Sequence, residues 1–147
     1  MATAPYRVTR RLCATDAAYI AGLVDGEGTI TLSRRHCGDE RQLVVSISST
    51  ERVLLEHVLG AVGAGKITRK RTYADRHAPG LTYAISNRQA LALLEQIAPH
   101  LRSYKAERAR LLLAHYVSLT PRNGKYNVAV RAAREDLIRA VLATKAR

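Results

Sequence analysis

The residues with the clearest chemical potential sit in one short stretch. In Ile20-Ala21-Gly22-Leu23-Val24-Asp25-Gly26-Glu27-Gly28, two glycines stand four residues apart and two carboxylates stand two apart. On a helix, positions i and i+4 share a face, so Gly22 and Gly26 leave that face bare and let another helix approach backbone to backbone. A glycine inside a helix costs about 1 kcal/mol relative to alanine, so a packing reason is expected. Spacing alone leaves open whether the approaching helix belongs to a second copy or to the same domain. Glu27 falls at the helix C-terminus, where backbone carbonyls already present partial negative charge. Two such ends brought together gather two carboxylates and several carbonyl oxygens, an oxygen-rich site for Mg2+. A metal held there against a phosphodiester lowers the pKa of a bound water, polarises the phosphate and neutralises the leaving oxygen. Asp25 points to another face of the helix, so it cannot join Glu27 on one metal from one chain. It is assigned to the interface, with backbone capping as the alternative role.

The elements that must position these groups follow from hydrophobic period. Residues 1–14 are polar, basic and aperiodic and read as a flexible basic arm, with residues 15–147 forming one domain. Thr15 or Asp16 caps a helix over Ala17–Asp25 that ends at Gly26 or Gly28. Thr29–Arg35 and Gln42–Ser48 alternate with period two and form a hairpin. A helix from about Glu51 to Val62, capped by Thr50, carries Leu54, Val58 and Val62 on one stripe, and Gly63-Ala64-Gly65 ends it. Lys66–Arg71 and Leu81–Ser86 read as a second hairpin around Pro79-Gly80. Asn87 caps the next helix, a longer one spans about Tyr104–Leu119, and a last one starts near Arg131. There is no internal repeat, and so no second copy of the first helix.

The chain has 147 residues and carries 24 Lys and Arg against 12 Asp and Glu, a net charge of +12. Such an excess favours a polyanionic partner, nucleic acid first. No apolar run approaches the roughly 18 residues of a bilayer span, and no apolar stretch follows Arg10-Arg11, so the reading is intracellular with no membrane partner. Cys13 and Cys37 form neither a disulfide framework nor a zinc spacing. Gly60-Ala61-Val62-Gly63-Ala64-Gly65-Lys66 nearly spells a phosphate loop, but Ile67 follows where Ser or Thr is needed, and the glycines join a helix to a strand instead of a strand to a helix.

The stretch Ile20–Gly28 resembles the nine-residue LAGLIDADG signature. It matches at Ala, Gly, Leu, Asp and the final Gly, and it is preceded by Tyr19, as is common in that family. The αββαββα order over about residues 15–119 is similar to the family's whole protomer. The resemblance implies an α+β fold with a four-stranded antiparallel DNA-binding saddle and C-terminal helices. It implies a homing endonuclease of the single-motif type, cutting double-stranded DNA as a homodimer with Mg2+, for which Mn2+ or Ca2+ substitutes in binding. It places Glu27 as catalytic metal ligand with the Gly26 carbonyl beside it. It puts Ala21, Gly22, Asp25 and Gly26 at the dimer interface. It also makes Lys105, near the start of the long helix, a catalytic cation in the active-site solvent network; Ser49 or Glu51 fills a further polar place there.

Strand alternation buries Ile30, Leu32, Leu43, Val45, Ile47, Ile67, Tyr83 and Ile85, and turns their neighbours to the opposite face. That face offers Thr31, Ser33 and Arg35 from the first strand and Gln42, Val44, Ser46 and Ser48 from the second. The third adds Lys66, Thr68 and Lys70, and the fourth adds Thr82 and Ala84. Arg or Lys pairs with guanine, Gln with adenine, and Thr or Val with a thymine methyl. Two other roles use the same fold without cleavage: an intron maturase, which makes intron RNA an alternative partner, and a DNA-binding regulator. Retention of an acid at position 27 and of Lys105 favours the enzyme. The place of action is then wherever the DNA is, a bacterial cytoplasm or an organelle.

Overall fold

The computed structural model describes residues 8–69 and 80–146. Period-two sequence becomes strand as expected: β1 (Gly28–Ser33), β2 (Gln42–Ser49), β3 (Lys66–Arg69) and β4 (Leu81–Ser86). They form an antiparallel sheet in the order β1-β2-β4-β3. Its inner face buries Ile30, Leu32, Leu43, Val45, Ile47, Tyr83 and Ile85, joined by Leu81, while Ile67 on the short edge strand is half-buried.

Helices cover that face alone: α1 (Ala14–Glu27), α2 (Arg52–Val62), α3 (Asn87–Ile97), α4 (Lys105–His115) and α5 (Val128–Ala143), with a 3-10 turn at Ala98–His100. α1 presents Ala17, Ile20, Ala21 and Val24 to the core, a set at helical spacing. Ala21 is therefore fully buried inside its own chain, and its assignment to a dimer interface is corrected. Gly22 and Gly26 lie on the opposite, exposed side. On α2 the stripe is Leu55, Val58 and Val62, with Leu54 less buried than expected. Among the described residues no helix is long and apolar enough to cross a membrane.

Several element boundaries depart from the sequence reading: α4 ends at His115 and not near Leu119, and the N-cap of α2 is Glu51 and not Thr50. The cap of α1 is Cys13, whose sulfur accepts from the Asp16 N–H at 3.5 Å, so the helix starts before Thr15. The segment before it is held to the helical layer instead of hanging loose. Arg10 N–H donates to Val62 O at 2.8 Å, Leu12 N–H to Gln96 Oε1 at 2.6 Å, and Gln96 Nε2 back to Arg10 O at 3.0 Å. The expected basic arm is thus an anchored strap over residues 8–13, and residues 1–7 lie outside the described residues. The last helix begins earlier than expected, at Val128, because Asn127 Oδ1 caps it by accepting from Val130 N–H at 2.8 Å.

The helix-to-strand junction at Gly28 fixes where α1 meets the sheet. Its backbone is extended, and its N–H closes α1 by donating to Val24 O. A Cβ at Gly28 would stand 2.6 Å from Val24 Cα and 2.8 Å from Ser46 O, both backbone atoms that cannot swing away. Gly28→Ala is expected to lower stability by about 1–3 kcal/mol, the usual cost of overpacking, read as a lower urea midpoint at unchanged slope. A midpoint equal to wild type would show that the junction has slack.

Candidate active site and nucleic-acid interface

The end of α1 gathers backbone carbonyls and two acids, and the rest of the chain responds to that charge. Asp25 turns inward. Its Oδ2 accepts from Arg102 N–H at 2.8 Å, and its Oδ1 accepts from Ser103 N–H at 3.1 Å and Ser103 Oγ–H at 2.5 Å. Ser103 Oγ in turn accepts from Lys105 N–H at 3.2 Å, so one carboxylate organises the first turn of α4. Burial works to raise the pKa of Asp25, but the Ser103 hydroxyl, the two backbone N–H groups and the Lys105 charge outweigh it and hold it below the usual aspartate range. Among the two roles weighed for Asp25, the described contacts are those of a cap within the chain.

Lys105 approaches the same helix end from α4. It is only 7% exposed, and its Nζ donates to both Val24 O and Asp25 O at 2.8 Å. A helix C-terminus favours a cation, and here the cation is buried against the last carbonyls. Burial holds its pKa below the ordinary lysine range, opposed by the Asp25 and Glu27 carboxylates and assisted by the like charge of Arg108. Lys105 is therefore no solvated surface lysine.

Glu27, by contrast, is exposed at the last position of α1. Gly22 and Gly26 precede it on the exposed side, and a Cβ at either would meet no atom within 4 Å, so none of the described residues uses that bare face. Among the described residues no three His, Cys, Asp or Glu side chains gather. Among the described residues this end of α1 thus offers one exposed carboxylate plus neighbouring backbone carbonyls, hard oxygen donors of the kind that suit divalent cations.

β1 starts immediately after Glu27, so the outer face of the sheet runs away from the carboxylate. The register sets its side chains in rows: Ser48, Thr82 and Thr68, then Thr29, Ser46, Ala84 and Lys66, then Thr31, Val44 and Ser86, and last Ser33 with Gln42. The first row is tied by a Ser48 Oγ to Thr82 Oγ1 hydrogen bond of 3.1 Å. The structure therefore brings together on one face Thr31, Ser33, Gln42, Val44, Ser46, Ser48, Lys66, Thr68, Thr82 and Ala84. Arg35 sits exposed just beyond β1, on the wall of a concavity of about 750 Å3 shared with Gln42, Val44, Lys66 and Ala84. Lys70 and Arg71 lie outside the described residues. Ser49 stands two positions past Ile47, the partner of Gly28, and so at the Glu27 end of the sheet; its Oγ accepts from Glu51 N–H at 2.9 Å.

Three residues hold this face in roles that the sequence reading missed. Asn87 does not cap α3 with its side chain; it adopts φ 56, and its amide reaches Gln42. Tyr116, fully buried, bonds Asn87 and the backbone of Leu43. Arg134 of α5, 2% exposed, donates to Leu119 O, Thr120 Oγ1 and Arg41 O, bracing the end of the β1–β2 connection. Asn87 carried a signal, since asparagine tolerates the left-handed region. Tyr116 and Arg134 carried none that separates them from other surface-type residues.

Asp25→Asn is expected to cost about 1–3 kcal/mol at neutral pH, because three donors then face a neutral acceptor. The folded pKa of Asp25 lies below its unfolded value, so its contribution is present above roughly pH 4 and is lost as pH falls through the folded value. Urea unfolding across this range should therefore show the gap between wild type and Asp25→Asn closing on acidification. A gap independent of pH would remove the charge from the account.

No curated protein matches the sequence significantly. The chain is similar in structure to the homing endonuclease I-CvuI in complex with its target, with TM-score 0.74 and 18% identity over 90% of this chain and 83% of that one. It is also similar to the archaeal intron-encoded homing endonuclease I-Vdi141I complexed with DNA, with TM-score 0.61 and 17% identity over 90% and 86%. Against the LAGLIDADG meganuclease I-AabMI bound to uncleaved DNA, the TM-score is 0.58 at 22% identity, and 83% of this chain covers 43% of that one. At such identities the likeness is one of fold. The profile of the LAGLIDADG-like domain matches residues 14–98, from the first residue of α1 through the end of α3. That match spans more than half of the chain and contains the helix that ends in Glu27, so the chain belongs to the LAGLIDADG family.

Proposed function

We propose that this protein is a site-specific endonuclease that cuts double-stranded DNA as a homodimer, by metal-assisted hydrolysis of a phosphodiester in each strand. The observation that carries the reading is the exposed Glu27 at the end of α1, next to an unused glycine face and at the head of a polar sheet face. The family fold and its DNA-bound neighbours support it.

In this reading Gly22 and Gly26 admit the α1 of a second copy, and the two Glu27 carboxylates meet with the Gly26 carbonyls to hold Mg2+, with Mn2+ or Ca2+ substituting in binding. Structures of I-CvuI in complex with target DNA were obtained in the presence of Ca2+ and, with the DNA not cleaved, of Mg2+. When bound, such a metal activates water and polarises the phosphate. The chain's own residues do the positioning. Lys105 fixes the last carbonyls of α1 and so the height of Glu27 above the sheet, while Asp25 locks α4 to the same point. The rows from Ser48 to Gln42 then lie along the major groove, a span of roughly 17 Å over the six residues of β1. A pseudo-palindromic site with half-sites of about 10 bp follows from two-fold symmetry. Doubling +12 to +24 per dimer makes affinity fall with salt. The place of action is a DNA-bearing compartment, a bacterial cytoplasm or an organelle.

Glu27→Gln is expected to reduce strand scission on the order of 10³-fold, comparable to removing one charge-stabilising group from an active site. Its DNA affinity in Ca2+ should stay within about fivefold, the scale of one exposed charge. The check is supercoiled-plasmid cleavage and gel-shift titration on a target selected from a random duplex pool. Undiminished cutting by Glu27→Gln would take the carboxylate out of the chemistry.

A further inference from the structure

Hydrogen-bond polarity in the core reaches the outer face of the sheet through a chain of four groups. It starts at Leu43 N–H in β2, which points to the side where β4 has already ended, since the last pair of that register is Val44 with Ser86. The fully buried Tyr116 fills the gap, and its hydroxyl accepts from Leu43 N–H at 3.2 Å. The same hydroxyl donates to Asn87 Oδ1 at 2.6 Å. Asn87 Nδ2 then donates to Gln42 Oε1 at 2.8 Å.

Each step leaves no freedom. A backbone N–H can only donate, so the Tyr116 oxygen must accept and its single proton must go onward. Asn87 therefore turns its carbonyl to Tyr116 and its NH2 to Gln42. The left-handed backbone at Asn87, φ 56, aims this side chain between the two partners as the chain turns from β4 into α3. Gln42, exposed in the last row of the polar face, has its carbonyl held towards Asn87, which turns the amide NH2 to the side open to an outside partner.

We infer that Asn87 is a specificity-positioning residue that fixes Gln42 as a hydrogen-bond donor, so that the base pair Gln42 meets is selected for acceptors on its major-groove edge, guanine above all. Guanine offers N7 and O6 as adjacent acceptors to an NH2, whereas the bidentate pair with adenine needs the glutamine carbonyl turned to N6, away from the side on which Asn87 holds it. The general expectation of glutamine for adenine is thereby reversed at this position. The inference rests on the reading of the sheet as a DNA-binding face.

The test is selection of randomised duplexes by the full-length protein in Ca2+, comparing wild type with Gln42→Ala, Asn87→Asp and Asn87→Gly. Gln42→Ala identifies the half-site position that Gln42 reads, as the one whose preference disappears. Wild type should favour guanine over adenine there by about tenfold, the scale of a good base contact. Asn87→Asp tolerates the left-handed backbone but has no donor, so it accepts from both neighbours. Gln42 must then flip and show its carbonyl outward. Preference at that one position should move to cytosine or adenine, whose exocyclic amines donate, with the other positions unchanged. Asn87→Gly keeps the backbone conformation and releases Gln42, so the preference should flatten. A purely structural role for Asn87 would lower stability without inverting one base preference. An Asn87→Asp profile identical to that of wild type, in a wild-type protein that does select a sequence, overturns the inference alone. A wild-type protein that enriches no sequence overturns the DNA-binding reading and the inference together.

Discussion

The C-terminal end of α1 concentrates negative charge, and much of the surrounding structure is arranged to bear it. A helix end already carries a partial negative charge, and this one adds two carboxylates within three residues. The chain divides the load in two. Asp25 and the carbonyls of Val24 and Asp25 are answered internally by Lys105 and by the first turn of α4. Glu27 is left outward, on the side where Gly22 and Gly26 expose bare backbone. Had both acids faced inward, burial would have driven them neutral; had both faced outward, nothing would fix the angle at which the helix meets the sheet. The inward acid and the buried lysine therefore make the outward one geometrically defined.

Cations bonded within the chain recur at the sheet edge. β1 is an edge strand, and its outward carbonyls would otherwise be open to pairing with another chain. Arg108 NH1 donates to Ile30 O at 2.8 Å and Arg41 NH1 to Leu32 O at 3.1 Å, so two guanidinium groups close the edge. Arg108 also holds Thr144 through Nε and NH2, at 2.7 and 2.9 Å, which fastens the end of α5 beside β1. At the other end of α5, Arg134 lies between the rings of Tyr116 and Tyr126, with its guanidinium carbon 5.5 and 5.3 Å from their centroids. Glu40 approaches it at 3.8 Å and Arg131 at 3.4 Å. Residues beyond Pro121 thus form a clamp on the β1–β2 hairpin, which carries Arg35 and Gln42, and do not stand apart as a tail.

Period and local chemistry made part of this legible in the sequence. The alternation of Thr29–Arg35 and Gln42–Ser48 places side chains on one face or the other whatever the surroundings, and every inner-face residue but the edge-strand Ile67 is buried. Glycine spacing at 22 and 26 separated the bare face of α1, but assigning Ala21 to that face ignored that Ile20, Ala21 and Val24 follow the helical period of the core. What stayed hidden depends on contacts far apart in the chain. Asp25 meets Ser103 across 78 positions and Arg134 meets Arg41 across 93, and no local pattern reports either. Asn87 was legible as a helix boundary but not as a relay, because the relay needs Tyr116 and Gln42 brought to it by tertiary structure.

Net charge takes on a different meaning once these cations are located. A surplus of +12 suggests a surface covered in groups awaiting phosphate. Yet Lys105, Arg108 and Arg134 direct their charged groups at backbone carbonyls and hydroxyls of this chain, and Arg41 bonds an edge carbonyl. Arginine suits such work because its planar fork satisfies several carbonyl acceptors at once and keeps its charge when buried. These groups still raise the potential around the protein, since charge acts at a distance whether or not the group touches its partner. They do not release counterions by direct phosphate contact, which is what makes affinity depend on salt. On the proposed function, long-range attraction and short-range contact fall to different cations: the internally bonded set builds the field and the scaffold together, and exposed residues such as Arg35 and Lys66 on the outer sheet face would meet the polyanion.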